Sequence, residues 1–437
     1  MKAHPKKLLL TLALSLLSQG ATAGALKEIY LKALTNDPQL RAAQASFRAD
    51  SEATPQSRAG LLPTLNLGGS LGYSDSHPGT NGVNNSLSLT LSQPVFRAQN
   101  WFSFQRSQQL TEQAASVFAK AQQDLIQRTL QAYMTVLEAK TNLTSAQAEE
   151  KAIQRRLDQV KAQFEVGLIA ITDVQEAQAT FDNSQVQRIL AEGALDNSYE
   201  ALERLNADPI QETPALNADY PITALVPDQR DPWVEKALTE NIELAIFQHG
   251  VGAAQTQTKI AKAGHYPTLD LNASLSDSNS NSNSNSNSSA TFDGSNGTLA
   301  LTLNVPLYLG GSVRSQQREA FQRLDASREQ HEDLRRKVTQ DTRSLFRNLQ
   351  TDRATIKARQ QAISSSQSAL HATSAGFEVG TRNVVDVLQA ERQLFAAQRD
   401  FANARYTYVR NLFQFKQAIG SLNPEDLYEL DRWMTTP

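Results

Sequence analysis

The string Phe-Glu-Val-Gly occurs twice in this chain, at Phe164–Gly167 and Phe377–Gly380, 213 residues apart. Each copy is followed six residues later by an aspartate, Asp173 and Asp386. Further anchors repeat at similar distances. Ala33-Leu34-Thr35 and Pro63-Thr64-Leu65 return 204 residues later as Ala237-Leu238-Thr239 and Pro267-Thr268-Leu269. Leu89-Thr90-Leu91 and Pro94 return 212 residues later as Leu301-Thr302-Leu303 and Pro306. Repetition on this scale means that one structural unit is used twice, so any fold proposed for one half must also serve the other.

The first residues are a targeting segment. Lys2, Lys6 and Lys7 precede the apolar run Leu8–Leu17, and Ala21-Thr22-Ala23 is a small-residue cleavage site, so residues 1–23 read as a secretory signal peptide. Its removal takes three lysines and no acids, which moves the formal net charge from −3 to −6 and argues against a nucleic-acid partner. The chain has no cysteine, hence no disulfide and no thiolate metal site. No later run approaches the roughly 20 apolar residues of a membrane-spanning helix. If the chain enters a membrane, it does so as strands.

Each half reads as helix, two strands, a very long helix and a shorter return helix. Asn36–Leu62 has helical composition and stops at glycine and proline. The period then becomes two. Leu65, Leu67, Leu71 and Tyr73, and then Leu87, Leu89 and Leu91, alternate with small polar residues. In the second half Leu269, Leu271, Ala273 and Leu275 alternate likewise, as do Leu299, Leu301, Leu303 and Val305. We expect half-exposed strands of about ten residues, the length a tilted strand needs to cross a bilayer. The Ser/Asn tract Ser278–Ser289 has nothing to build a core with and reads as a disordered loop.

After Pro94 and Pro306 the pattern is helical for a long way. Leu349, Ile356, Ile363, Leu370 and Phe377 recur every seven residues, the mark of a left-handed coiled coil. Ala98–Phe164 would make a helix of about 100 Å, more than a compact globule needs. The return is made in two pieces, so each half reads as paired rods capped by a β-hairpin. The resulting division is residues 24–205 as the first repeat, with its hairpin at 63–94, and 233–420 as the second, with its hairpin at 267–306. The proline-rich segment 206–232 and the tail 421–437 would lie at mid-height, as an equatorial region.

Four amphipathic strands cannot close a barrel, and open sheet edges are not tolerated in lipid. The chain must therefore oligomerise, with apolar faces outward around a wet lumen. In this pattern the chain resembles the TolC family of outer-membrane efflux and secretion channels. The resemblance is most specific at Val166–Gln175, Val379–Arg382 with Val385–Leu388, and Ala402–Tyr406. It implies an α+β fold: a homotrimer with four strands per protomer in a Gram-negative outer-membrane barrel, continued by a long periplasmic α-helical coiled-coil barrel. It also implies outer-membrane lipid as surroundings, and as partners a periplasmic adaptor (membrane fusion) protein and an inner-membrane pump of RND or ABC type. The role would be the passive exit duct of a tripartite efflux pump or type I secretion system. A second reading is a periplasmic coiled-coil spacer without a pore, which leaves the alternating strands unused.

Gly167 and Gly380 read from the residues as left-handed C′ glycines that end the long helices. Asp173 and Asp386 read as N-caps with Glu176 and Gln389 three residues on. The resemblance adds that Val166, Gly167, Leu168, Val379, Gly380 and Thr381 are the tips that meet the adaptor. It also makes Thr172, Asp173, Phe377, Arg382, Asp386 and Gln389 the periplasmic gate, with Arg382 tied to Asp173 and Asp386 in a pore-lining acidic ring. Phe377 stands where the family has a tyrosine and Gln389 where it has a second acid, so the gate should carry fewer polar ties and less negative charge. We expect no catalytic residues, cofactor or metal. Gly68-Gly69-Ser70-Leu71-Gly72 matches the nucleophile-elbow string, but its serine falls mid-strand rather than at a strand-to-helix turn.

Overall fold

The computed structural model describes residues 25–76, 80–210, 213–284 and 290–435; the leader and residues 285–289 of the Ser/Asn tract lie outside them. In chain order the elements are α1 (Ala25–Asn36), α2 (Pro38–Ser51), α3 (Ala53–Ala59), β1 (Thr64–Ser76), β2 (Thr80–Phe96), α4 (Ala98–Glu165), α5 (Ile171–Asn206) and β3 (Ala215–Leu216). There follow α6 (Asp231–Glu240), α7 (Ile242–Ala263), β4 (Thr268–Ser284), β5 (Ala290–Asn304), α8 (Ser312–Glu378), α9 (Val384–Ala418), α10 (Pro424–Asp431) and β6 (Met434–Thr435). The chain forms two compact units, each built from both halves of the sequence. One contains residues 42–120 and 240–338; the other contains 25–41, 121–239 and 339–435.

The first unit carries a four-stranded antiparallel sheet in the order β1-β2-β4-β5. Its register places Leu67 opposite Leu89, Leu89 opposite Leu275, and Leu271 opposite Leu301. Because alternate residues share a face, the leucines of all four strands fall together. That face is bare: Leu67 is 71% exposed, Leu71 80% and Leu299 75%. The opposite face is stitched by hydroxyls, with Ser70 and Ser86 Oγ 2.8 Å apart and Ser274 Oγ and Thr298 Oγ1 2.6 Å apart. Below an irregularity at Pro94/Phe96, Arg97 donates to both carboxylate oxygens of Asp270 at 2.7 and 2.8 Å and ties the end of β2 to β4.

Two strand expectations are corrected. The strands have 13, 17, 17 and 15 residues, not about ten. Ser278–Ser284 is not a loop but the end of β4, with Ser278 paired to Ser86 on β2 and to Gly294 on β5. A strand flanked on both sides satisfies its backbone N–H and C=O groups in the ladders. Small polar residues can therefore continue it where there is no core to join.

The helix expected at Asn36–Leu62 is two helices, α2 and α3, preceded by α1, which ends at Asn36. Pro38 cannot continue α1, and the Asp37 carboxylate accepts from the Leu40 amide at 3.0 Å, so α2 starts with an aspartate cap and proline at its first position. Arg128 clamps the same carboxylate at 3.2 and 2.6 Å. By contrast α4 and α8 run unbroken for 68 and 67 residues, as their lack of proline requires.

The second unit is packed around α4, where Leu125, Ile126, Leu130, Tyr133, Met134 and Leu137 are almost fully buried. A strap crosses this region. β3 pairs with β6, the Tyr133 hydroxyl donates to the Pro214 carbonyl at 2.8 Å, and Arg405 donates to the Asn217 carbonyl. Tyr220 meets Trp433 edge to face. Asp431 accepts from the Leu26 amide at 3.1 Å, so the tail fastens the start of α1.

Candidate functional site

The two Phe-Glu-Val-Gly strings become the same turn. Gly167 and Gly380 have φ of +76° and +77°, a region that costs residues with a Cβ roughly 1–2 kcal/mol. In each, the glycine amide donates to the carbonyl three residues back, Gly167 to Phe164 at 2.9 Å and Gly380 to Phe377 at 3.1 Å. The next amide reaches five back, Leu168 to Gln163 at 2.9 Å and Thr381 to Gly376 at 2.8 Å. Both helices thus end in a Schellman motif. The turns stand free, since an added Cβ on either glycine would meet nothing within 4 Å. Val166, Leu168 and Val379 are exposed beside them, an apolar rim that none of the described residues covers.

The return helices start earlier than the Asp-cap reading requires, and that reading is corrected. Asn383 caps α9, accepting from the Asp386 amide at 2.8 Å, and Asp386 reaches back to the Asn383 amide at 3.4 Å. Asp386 is thus the third residue of a capping box. Asp173 has the same place in α5, whose cap, Ala170, has no side-chain oxygen to offer. Neither Glu176 nor Gln389 acts as a box partner; Gln389 instead accepts from Arg392 at 2.7 Å. Thr172 and Arg382 are exposed. Within its own chain Arg382 faces Asp386 at 3.8 Å, and no pair joins it to Asp173 among the described residues.

Directly above the turns lies a core made by three helices. Ile153, Leu157 and Val160 of α4, Ala177 of α5, and Val384 and Leu388 of α9 are all buried, with Phe377, Phe181, Val174 and Ile169 packed around them. One charge pair adjoins this apolar cluster. Arg156 on α4 donates through Nη2 to Glu391 Oε1 on α9 at 3.0 Å and through Nη1 to Gln159 at 2.8 Å. Its guanidinium carbon is 6.0 Å from the centroid of the Phe377 ring. Sequence reasoning missed both residues. The available signal was an arginine between Ile153 and Leu157 on a heptad face, but its partner is 235 residues away. Ser70 lies in the middle of β1 against Ser86, far in sequence from any helix start, as its strand pattern requires.

Residues 29–207 and 233–421 match the model of the family described as outer membrane efflux protein. The chain belongs to that family. It is 36% identical to the outer membrane protein TolC of Vibrio cholerae serotype O1 over 431 residues, 98% of each chain. It is 37% identical to TolC of Escherichia coli strain K12, covering 98% of this chain and 89% of the other. The proteases secretion protein PrtF of Dickeya chrysanthemi is 30% identical, with 98% and 95% covered. Among solved structures, CusC superposes with a TM-score of 0.80 at 19% identity, covering 91% of this chain and 92% of the other. VceC of Vibrio cholerae superposes at 0.76 and 19%, covering 90% and 96%. The chain is therefore a TolC-like protein of the outer membrane and an exit duct for efflux and type I secretion.

Proposed function

We propose that three copies of this chain assemble into a single duct, closed at its periplasmic end by the α4/α5 and α8/α9 turns and docked there by an adaptor protein. The observation that carries this reading is the sheet. It offers a bare apolar face, a hydroxyl-lined opposite face and, among the described residues, two unpaired edges, β1 and β5. In lipid such edges must pair with another copy, and twelve strands make a barrel with a wet interior. In this reading the two sequence repeats supply equivalent hairpins and rods, 206–232 and 421–437 form the equatorial belt, and the exposed rim at Val166, Leu168 and Val379 is the adaptor contact. The adaptor would link the duct to an inner-membrane pump of RND or ABC type, and the likeness to PrtF favours a secreted protein among its cargoes.

The gate is assigned to Thr172, Asp173, Phe377, Arg382, Asp386 and Gln389. Because Arg382 meets Asp386 in its own chain, its tie to Asp173 would run to a neighbouring copy. Each exposed pair contributes roughly 0.5–1 kcal/mol. Three copies give about 1.5–3 kcal/mol, a bias toward closure of roughly 10- to 150-fold. In planar lipid bilayers Arg382→Ser and Asp173→Ala should each raise the single-channel conductance. Their double mutant should fall short of the sum, because both remove one bond. Asp386→Ala should abolish block by polyvalent cations from the periplasmic side. A protein that needs no detergent and passes no current would sink this reading in favour of a spacer.

A further inference from the structure

We infer that Arg156 and Glu391 form an intraprotomer lock, which holds α9 and the end of α8 against α4 in the closed conformation; this rests on the duct reading above. The lock is made by one side chain that touches three helices. Arg156 belongs to α4, bonds Glu391 of α9 at 3.0 Å, and lies on the ring of Phe377 at the end of α8. Its setting is dry. The two side chains are 16% and 11% exposed, and they adjoin the apolar cluster of Ile153, Leu157, Val160 and Leu388. Sliding the α8/α9 turn away from α4 must separate the charges and uncover the ring together, so the two contacts break as one event.

The pair is also incompletely satisfied. Arg156 Nε and Glu391 Oε2 are buried without hydrogen-bond partners among the described residues. A buried ion pair with unmade bonds contributes little net stability, while breaking it by removing one partner leaves an uncompensated charge. Such a pair specifies one arrangement of helices without holding it in a deep minimum, which suits a contact that has to release. It also supplies at Phe377 the polar restraint that a phenylalanine cannot make for itself, through the attraction of a cation for an aromatic face.

The test uses the full-length protein in planar lipid bilayers, with thermal unfolding measured in parallel. Arg156→Gln and Glu391→Gln should each raise the open population by about tenfold, because each leaves the other charge buried and unpaired in all three copies of the closed duct. The double variant should open no further than either single one, because both remove the same bond. The exchange Arg156→Glu with Glu391→Arg should restore closure, which a role in packing alone would not produce. Should Arg156→Gln fail to assemble, Phe377→Leu keeps the ion pair and most of the apolar volume while removing the ring, and a rise of about threefold is expected. A lowered unfolding temperature with unchanged conductance in these variants would overturn the lock. If Arg382→Ser opens the channel while the Arg156 and Glu391 variants do not, the lock falls and the gate stands. If the wild type and every variant pass no current, the duct reading falls and takes the lock with it.

Discussion

Replacing Gly380 with alanine isolates one piece of backbone physics at the tip. A Cβ there meets no atom within 4 Å, so packing contributes nothing to the cost. What remains is the left-handed conformation, φ +77°, disfavoured for alanine by roughly 1–2 kcal/mol. The reduced freedom of alanine in the unfolded chain returns about 0.4–1 kcal/mol. The net loss of about 1 kcal/mol corresponds to roughly a fivefold change in the local opening equilibrium. It should be read where the turn is bonded, at the amides of residue 380 and Thr381, which donate to Phe377 and Gly376. Hydrogen exchange at those two amides should quicken about fivefold, and the body of α8 should keep its protection. Gly193→Ala is the matched control. Gly193 lies inside α5 with open space around it, and alanine there should stabilise the helix by about 0.8–1 kcal/mol. Unchanged exchange at 380 and 381, with Gly193→Ala slowing exchange in α5, would refute the assignment of the turn.

Leu157→Ala, at a side chain 1% exposed in the core above the turns, should cost about 2–5 kcal/mol in thermal unfolding; a loss below 1 kcal/mol would deny that the three helices share a core. Stability should also depend on pH in two opposed ways. Burial pushes the carboxyls of Asp431 and Asp352 above their ordinary values, so their contribution is lost as pH rises through those raised values and is complete below the ordinary one. Burial also acts on Asp37, but its bonds to Arg128, Leu40 and Gln39 more than offset it and hold that carboxyl low, so its contribution is lost as pH falls through the lowered value. The unfolding temperature should therefore peak on the acid side of neutrality and drop below about pH 4. Asp431→Asn with Asp352→Asn should flatten the rise, and a wild-type curve falling steadily from pH 7 downward would contradict it. An epitope inserted between Asn285 and Ser289 should be labelled on intact cells; labelling only after outer-membrane disruption would invert the topology.

The sequence by itself determined the doubled plan, the strand faces and the ends of the long helices. Those features depend on neighbours in the chain. Period two puts Leu65, Leu67 and Leu71 on one side whatever they face, and only glycine follows Phe-Glu-Val cheaply into a left-handed turn. It erred where a residue type was read without the backbone around it. Ser278–Ser284 looked unable to fold, yet backbone pairing with β2 and β5 makes it strand. Asp386 looked like a cap, but Asn383, three residues earlier, takes that place once the Schellman turn fixes where α9 can begin. Only the tertiary structure decided that Arg156 finds Glu391 and Phe377, that Arg128 holds Asp37, and that Asp431 fastens the start of α1. The physical reason is distance along the chain. A charge on a helix can reach residues three or four positions away by local geometry, but a partner 235 or 405 positions away is chosen by how the helices pack, which no local pattern encodes.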